Sequence, residues 1–108
     1  VILRTISLEI TSTIPSGYFF ARIGGEEFAL ATSSNLSQNS AYTFYNSIRE
    51  LIKNITIKYF DETITCTASI GFTAIHEGDV QIEDIYARAD KALYNAKNSG
   101  RNIVKFST

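Results

Sequence analysis

Two adjacent glycines followed by two adjacent carboxylates stand in the segment Arg22–Phe28, between two apolar stretches. The pair Gly24-Gly25 is typical of a tight turn between strands, because glycine adopts positive φ without a Cβ clash. A turn alone does not explain Glu26 and Glu27, which come directly after it. Carboxylates beside bare glycine backbone are suited to hold Mg²⁺ against the phosphate oxygens of a closely approaching ligand. Neighbouring strand residues point to opposite faces, so the alternative is that one carboxylate simply faces solvent.

Two cations lie at the end of the last predicted helix, with Lys97 in its final turn and Arg101 just after the glycine stop Gly100. From Arg88 onward the chain carries five basic residues and one acidic residue. One interpretation is favourable charge at a solvated helix end, and composition alone favours it. The other is an anion site, in which Lys97 supplies a point charge and Arg101 a planar fork for phosphate.

Hydrophobic periodicity predicts the elements that must position these groups. The predicted order is a helix ending near Ile10, a hairpin of Tyr18–Ile23 and Glu26–Ala31, a helix over Asn35–Asn54, a second hairpin of Ile55–Phe60 and Thr63–Ile75, a helix over Gln81–Ser99 with Asp79 as its N-cap, and a strand over Asn102–Phe106. Hairpins mixed with helical crossovers predict an α+β fold with a mostly antiparallel sheet. The one-sided apolar stripe of each long helix predicts that both helices pack on one face of that single sheet.

Composition limits the classes of protein to consider. The 108 residues suffice for one domain, and a hydrophobic content of 44% can supply a core. The net charge of −1 predicts no nucleic-acid partner and no membrane contact. Cys66 is the only cysteine, which excludes an intramolecular disulfide. The sequence contains no methionine and starts at Val1, so we interpret it as a piece of a longer protein.

Three motifs in order along the chain resemble those of the GGDEF family, the diguanylate cyclases of bacterial signalling. RIGGEEFAL, residues Arg22–Leu30, is similar to the signature hairpin in its Glu-containing form. TASIGF, residues Thr67–Phe72, is similar to a family strand, and DKALYNAKNSGRN, residues Asp90–Asn102, to the last helix and its exit. The resemblance extends over the whole chain and implies a palm-like α+β domain akin to nucleotidyl cyclases.

The resemblance also implies an activity. Two such domains would face each other as a dimer, each holding GTP and Mg²⁺ (or Mn²⁺), and would condense two GTP into cyclic di-GMP with release of pyrophosphate. The implied setting is cytoplasmic, with an upstream sensor or regulatory domain, which could belong to a membrane-bound sensor.

The family roles are assigned by position. They imply close nucleotide approach at Gly24 and Gly25, a catalytic and metal-linked carboxylate at Glu26, a second metal carboxylate at Glu27, and contacts to the terminal phosphates at Lys97 and Arg101. For Arg22, which matches a family arginine, we predict only structural support of the hairpin.

The sequence departs from the family pattern at its start. The family's first strand, with a Mg²⁺-binding Asp, and the following helix, with guanine contacts, have no match here, so we interpret residues 1–108 as a partial domain that is inactive by itself. The family's product-inhibition motif, Arg-x-x-Asp, is absent from Pro15–Tyr18. Two alternatives stay open: an inactive domain that binds GTP or a partner, and a fragment that shares the fold alone.

Overall fold

The computed structural model describes residues 2–16, 18–32 and 36–108. These residues form three helices and six short strands, in the order α1 (Ile2–Thr13), β1 (Tyr18–Gly24), β2 (Glu27–Thr32), α2 (Gln38–Lys53), β3 (Ile57–Tyr59), β4 (Glu62–Ile64), β5 (Ile70–Phe72), α3 (Ile82–Asn98) and β6 (Val104–Phe106). The α+β class is confirmed. Three residues of the sequence-based interpretation lie outside the described residues, namely Val1, Gly17 and Asn35.

Isoleucine side chains from α1, α2 and the segment after α2 form the core. They are Ile6, Ile10, Ile48, Ile52, Ile55 and Ile57. Within each helix these residues recur four positions apart, which places them on one face. Ser37 caps α2, because its Oγ accepts a hydrogen bond of 3.1 Å from the Ser40 N–H.

The strands pair as three separate two-stranded sheets, so the prediction of a single sheet is wrong for the described residues. The β1–β2 and β3–β4 pairs are antiparallel, whereas β5 and β6 are parallel. The predicted strand Thr63–Ile75 is divided, because its two ends have different partners: β4 pairs with β3, and β5 pairs with β6, which arrives from the far end of α3. Residues 65–69 form the irregular connection between them.

The two long helices lie on opposite faces of the β5–β6 sheet, so the prediction that both pack on one face is also wrong. Phe72 in β5 contacts Tyr45 of α2, with ring centroids 5.1 Å apart. The preceding residue, Gly71, faces the backbone of α3 at Ala89 and Leu93. Consecutive strand residues point to opposite faces, and α2 and α3 therefore sandwich this sheet.

Gly71 permits an unusually close approach of α3 to β5. A Cβ at this position would lie 2.1 Å from the Leu93 backbone nitrogen and 2.5 Å from the Ala89 carbonyl oxygen. On the same helix, Ala92 and Ala96 are completely buried, which again reflects small residues at a tight contact. The C-terminal half of α3 is therefore fixed closely against the β5–β6 sheet.

The start of α3 is held by a clamp that the sequence did not predict. Asp79 is not the N-cap, which is Gln81; the Asp79 carboxylate instead accepts two hydrogen bonds from Arg88, at 2.7 and 2.8 Å, and one from the His76 N–H. These donors hold the pKa of Asp79 well below its usual range. Arg88 also donates to Thr73 and Ala74, which ties the loop after β5 to α3.

Candidate functional site

The β1–β2 hairpin ends in a two-residue turn formed by Gly25 and Glu26. Gly24 pairs with Glu27 across the turn, and the register shifts between Arg22 and Gly24. Gly24 and Gly25 have φ values of +153° and +48°, which favour glycine. A Cβ at either glycine would meet nothing within 4 Å, so the backbone conformation, and not crowding, requires glycine here.

Arg22 supports this turn, as the sequence predicted. Its Nε and Nη2 donate hydrogen bonds of 2.9 and 2.6 Å to the carbonyl oxygen of Gly25. Both donors of the guanidinium fork converge on one acceptor, which fixes the turn relative to β1.

The positions of the two carboxylates follow from the geometry of this turn. Glu26 lies in the turn and Glu27 is the first residue of β2, so the predicted strand start at Glu26 is one residue early. Because Glu26 is not in a strand, side-chain alternation does not send the two groups to opposite faces, and both line the same groove. Tyr86 of α3 donates a hydrogen bond of 3.3 Å from its hydroxyl to Glu27 Oε2. The charge of Glu27 raises the pKa of Tyr86, so this hydroxyl stays protonated at neutral pH.

The basic residues lie where α3 ends. The helix stops at Asn98, and Gly100 follows with φ +106°. The N–H of Arg101 donates to the Ala96 carbonyl oxygen at 3.1 Å, which is the long bond of a Schellman motif. Lys97 precedes this exit turn and Arg101 lies within it, and both are exposed.

The carboxylates of the hairpin and the cations of the α3 exit border the same groove. It has a volume of about 1340 Å³ and is lined by the hairpin, β5 and α3 together with apolar side chains of α1 and α2, among them Ile6 and Ile48. Four of the residues singled out in the sequence line it: Glu26 and Glu27 from the hairpin, and Lys97 and Arg101 from α3 and its exit. Gly24 and Gly25 lie at the hairpin tip and are not among the lining residues.

The donor set fits a hydrated magnesium ion in its chemistry but supplies only part of a coordination shell. Within residues 2–16, 18–32 and 36–108, no group of three or more His, Cys, Asp or Glu side chains is arranged to hold a metal. Glu26 and Glu27 provide hard carboxylate oxygens. Mg²⁺ is commonly held by one or two carboxylates together with water and substrate phosphates, which these two residues could satisfy.

Sequence reasoning missed two groove residues on α3, Tyr86 and Asp90. The signal was present in the helical spacing, because positions seven and eleven residues before Lys97 lie on the same face of a helix. The groove also contains apolar side chains of β2 and β5, among them Leu30 and Phe72.

No helix in the part of the chain that the structure describes is long and apolar enough to cross a membrane.

The chain is similar in sequence to proteins named as diguanylate cyclases. "Diguanylate cyclase VdcA" of Vibrio cholerae is 39% identical over 106 residues, which cover 95% of this chain and 31% of that protein. "Diguanylate cyclase A" of Treponema denticola is 34% identical over 107 residues, covering 99% of this chain and 29% of that protein. This chain therefore spans less than a third of the length of these relatives.

The fold is shared with solved GGDEF domains. The GGDEF domain of DgcB from Caulobacter crescentus, solved in complex with c-di-GMP, superposes with a TM-score of 0.85 at 29% identity, covering 97% of this chain and 62% of that one. The sequence pattern of the family described as "Diguanylate cyclase, GGDEF domain" matches residues 1–103. The chain belongs to the GGDEF family.

Proposed function

We propose that this chain forms part of a diguanylate cyclase, which condenses two molecules of GTP into cyclic di-GMP and releases pyrophosphate. The observation that carries the proposal is the groove in which two carboxylates of the signature hairpin and two cations of the α3 exit line one cavity. Membership of the family and relatives named as diguanylate cyclases support the same reaction.

The acidic side of the groove, formed by Glu26 and Glu27, would accept the proton of the attacking hydroxyl and hold the metal ion. The 3′-hydroxyl of one GTP must lose its proton as its oxygen attacks the α-phosphorus of the other. Glu26 is the proposed proton acceptor, since it lies in the exposed turn and its carboxylate has no competing partner among the described residues. Glu26 and Glu27 together would hold Mg²⁺, which supplies Lewis-acid stabilisation of the phosphate charge. Gly24 and Gly25 leave open space beside the backbone for the nucleotide.

The basic side of the groove, formed by Lys97 and Arg101, would stabilise the charge of the leaving group. When the bond between the α- and β-phosphates breaks, the electron pair goes to the departing pyrophosphate, which gains negative charge. Lys97 and Arg101 are the proposed contacts to these terminal phosphates. Cationic donors aimed at developing charge lower the barrier more in a groove than in open water.

The proposed partners follow from the reaction. One domain binds one GTP, so joining two nucleotides needs a second GGDEF domain facing the first. The activity and its regulation are therefore proposed for a dimer of a longer protein, with a sensor or regulatory domain preceding the domain and with a cytoplasmic location.

The test uses the full-length protein, GTP and Mg²⁺, with cyclic di-GMP measured by liquid chromatography. We expect Glu26→Ala to reduce kcat by about 10²- to 10⁴-fold, the usual contribution of a proton acceptor. The melting temperature should stay unchanged, because the Glu26 side chain is exposed.

The matched control is Glu77→Ala, which removes an exposed carboxylate from a turn outside the groove. It should retain wild-type turnover. Undiminished turnover in Glu26→Ala would remove Glu26 from the catalytic role. Binding of GTP by the wild-type protein with no product would favour an inactive, nucleotide-binding domain.

A further inference from the structure

The exit from α3 contains an unusual backbone. Gly100, Arg101 and Asn102 all have positive φ, at +106°, +62° and +49°. Glycine adopts this region freely and asparagine tolerates it, but arginine rarely does. A strained conformation persists only where surrounding contacts determine it, and such positions concentrate at functional sites.

The contacts that hold this backbone conformation are made to Asn102. Its backbone N–H donates to Ser69 Oγ at 3.2 Å, just before β5. Its side-chain Oδ1 accepts a hydrogen bond of 2.8 Å from Arg49 Nη1 of α2. Backbone and side chain are thus held from two different elements, and the next residue, Ile103, continues the pairing through a bond from the Ile70 N–H to its carbonyl oxygen.

Arg49 is itself fixed in orientation. Its Nε donates to Asn46 Oδ1 at 3.0 Å, and its Nη2 forms an ion pair with Glu50. Only 12% of the Arg49 side chain is exposed. With those two nitrogens occupied within α2, the remaining Nη1 is aimed at Asn102, which lies 53 residues further along the chain.

We propose that Asn102, held by Arg49 and Ser69, is a positioning residue that keeps the Arg101 backbone in its left-handed conformation and thereby aims the Arg101 guanidinium at nucleotide phosphate in the groove. The inference rests on the proposed function for the phosphate role of Arg101. The Arg101 N–H is tied back to Ala96 at one side and Asn102 is clamped at the other, so these bonds define the direction in which the Arg101 Cα–Cβ bond leaves the backbone. Arg101 lines the groove from this position.

The test compares Asn102→Gly with Asn102→Asp in the full-length protein. Glycine keeps the backbone conformation accessible but removes the acceptor for Arg49, whereas aspartate keeps an acceptor at the same position. We expect Asn102→Gly to raise KM for GTP about tenfold with kcat within about twofold, and Asn102→Asp to restore KM. The control Asn98→Gly removes the same amide from the exposed last residue of α3 and should leave KM within about twofold.

Two further measurements separate positioning from general support of the fold. In an Arg101→Ala background, Asn102→Gly should raise KM no further, because its effect acts through Arg101. An equal rise in that background would overturn the proposal, as would a loss of kcat and melting temperature with KM unchanged.

Hydrogen exchange tests the clamp without any nucleotide. The amides of Arg101 and Asn102 should exchange at least about tenfold faster in Asn102→Gly and at wild-type rates in Asn102→Asp. Unchanged exchange in Asn102→Gly would overturn the proposal. If the wild-type protein neither binds nor converts GTP, the proposed function fails, and these exchange rates still decide whether Asn102 positions Arg101.

Discussion

The acidic and basic sides of the groove are built in different ways. The backbone of the hairpin turn is held by its own neighbours, namely the β1–β2 pairing and the Arg22 bonds to Gly25, and one bond from the Tyr86 hydroxyl of α3 reaches the adjacent Glu27 side chain. The α3 exit is held by contacts from elsewhere in the chain, with Arg49 of α2 and Ser69 before β5 bonding Asn102. Both regions expose large apolar side chains, among them Phe19 in the hairpin and Ile82 in α3, but α3 also buries Ala92 and Ala96 completely.

This difference separates the expected consequences of mutation. A change near the hairpin turn should affect the carboxylates and leave the rest of the fold unaltered. A change under α3 should disturb packing first and the phosphate contacts as a result. Local construction suits the metal and hydroxyl contacts proposed for the hairpin, whereas the α3 exit, with its proposed phosphate contacts, is positioned by the packed sheet.

The largest effect on stability is expected at Gly71. Gly71→Ala places a Cβ 2.1 Å from the Leu93 backbone nitrogen, and neither backbone can move without separating α3 from β5. We expect a loss of about 3 kcal/mol in the free energy of unfolding, measured by urea denaturation of the full-length protein.

Gly78→Ala is the matched control, since a Cβ there meets nothing within 4 Å and its φ is not positive. It should change the free energy of unfolding by less than about 0.5 kcal/mol. Equal stability of the two variants would show that α3 does not depend on the close approach at Gly71.

A smaller and more local effect is expected at Arg22. Arg22→Ala removes both bonds to the Gly25 carbonyl oxygen and releases the turn that carries Glu26. We expect kcat to fall about tenfold with KM little changed, and the free energy of unfolding to fall by about 1 kcal/mol or less. Steady-state kinetics and urea denaturation provide the two readouts.

Lys58→Ala removes an exposed cation from β3 outside the groove and controls for the lost charge. A rise in KM at constant kcat in Arg22→Ala would place Arg22 with the phosphate contacts and would break the proposed division between the two sides.

The sequence predicted the hairpin and both long helices because their signals are local. The glycine pair, the alternating strands and the apolar stripes are each read within a few residues. The layering was not predictable in the same way, because an apolar stripe tells which side chains are buried and not against which element. Gly71 shows the limit: its role depends on the α3 backbone at Ala89 and Leu93, which the sequence places about twenty residues away.

The candidate functional residues show the same difference between local signals, which the sequence reveals, and long-range contacts, which it does not. Glu26, Glu27, Lys97 and Arg101 were chosen from motifs, and the structure adds that they share one groove. The bond between Tyr86 and Glu27 and the contact between Arg49 and Asn102 join elements 59 and 53 residues apart. Pairings at such separations follow from tertiary packing, which no short pattern encodes.

The most direct test concerns the proposed division of roles between the carboxylates, which would hold Mg²⁺, and the cations, which would hold phosphate. Calorimetry measures how tightly the full-length protein binds a GTP analogue that cannot release pyrophosphate, with and without Mg²⁺. Glu26→Gln/Glu27→Gln should bind the Mg²⁺-free analogue at least as tightly as the wild type, because two negative charges near the phosphates are gone, and should gain much less affinity from Mg²⁺ than the wild type gains. Lys97→Ala/Arg101→Ala should bind more than about tenfold more weakly in both conditions and should keep the gain from Mg²⁺. A normal Mg²⁺ gain in the first double variant, or undiminished affinity in the second, would contradict the account.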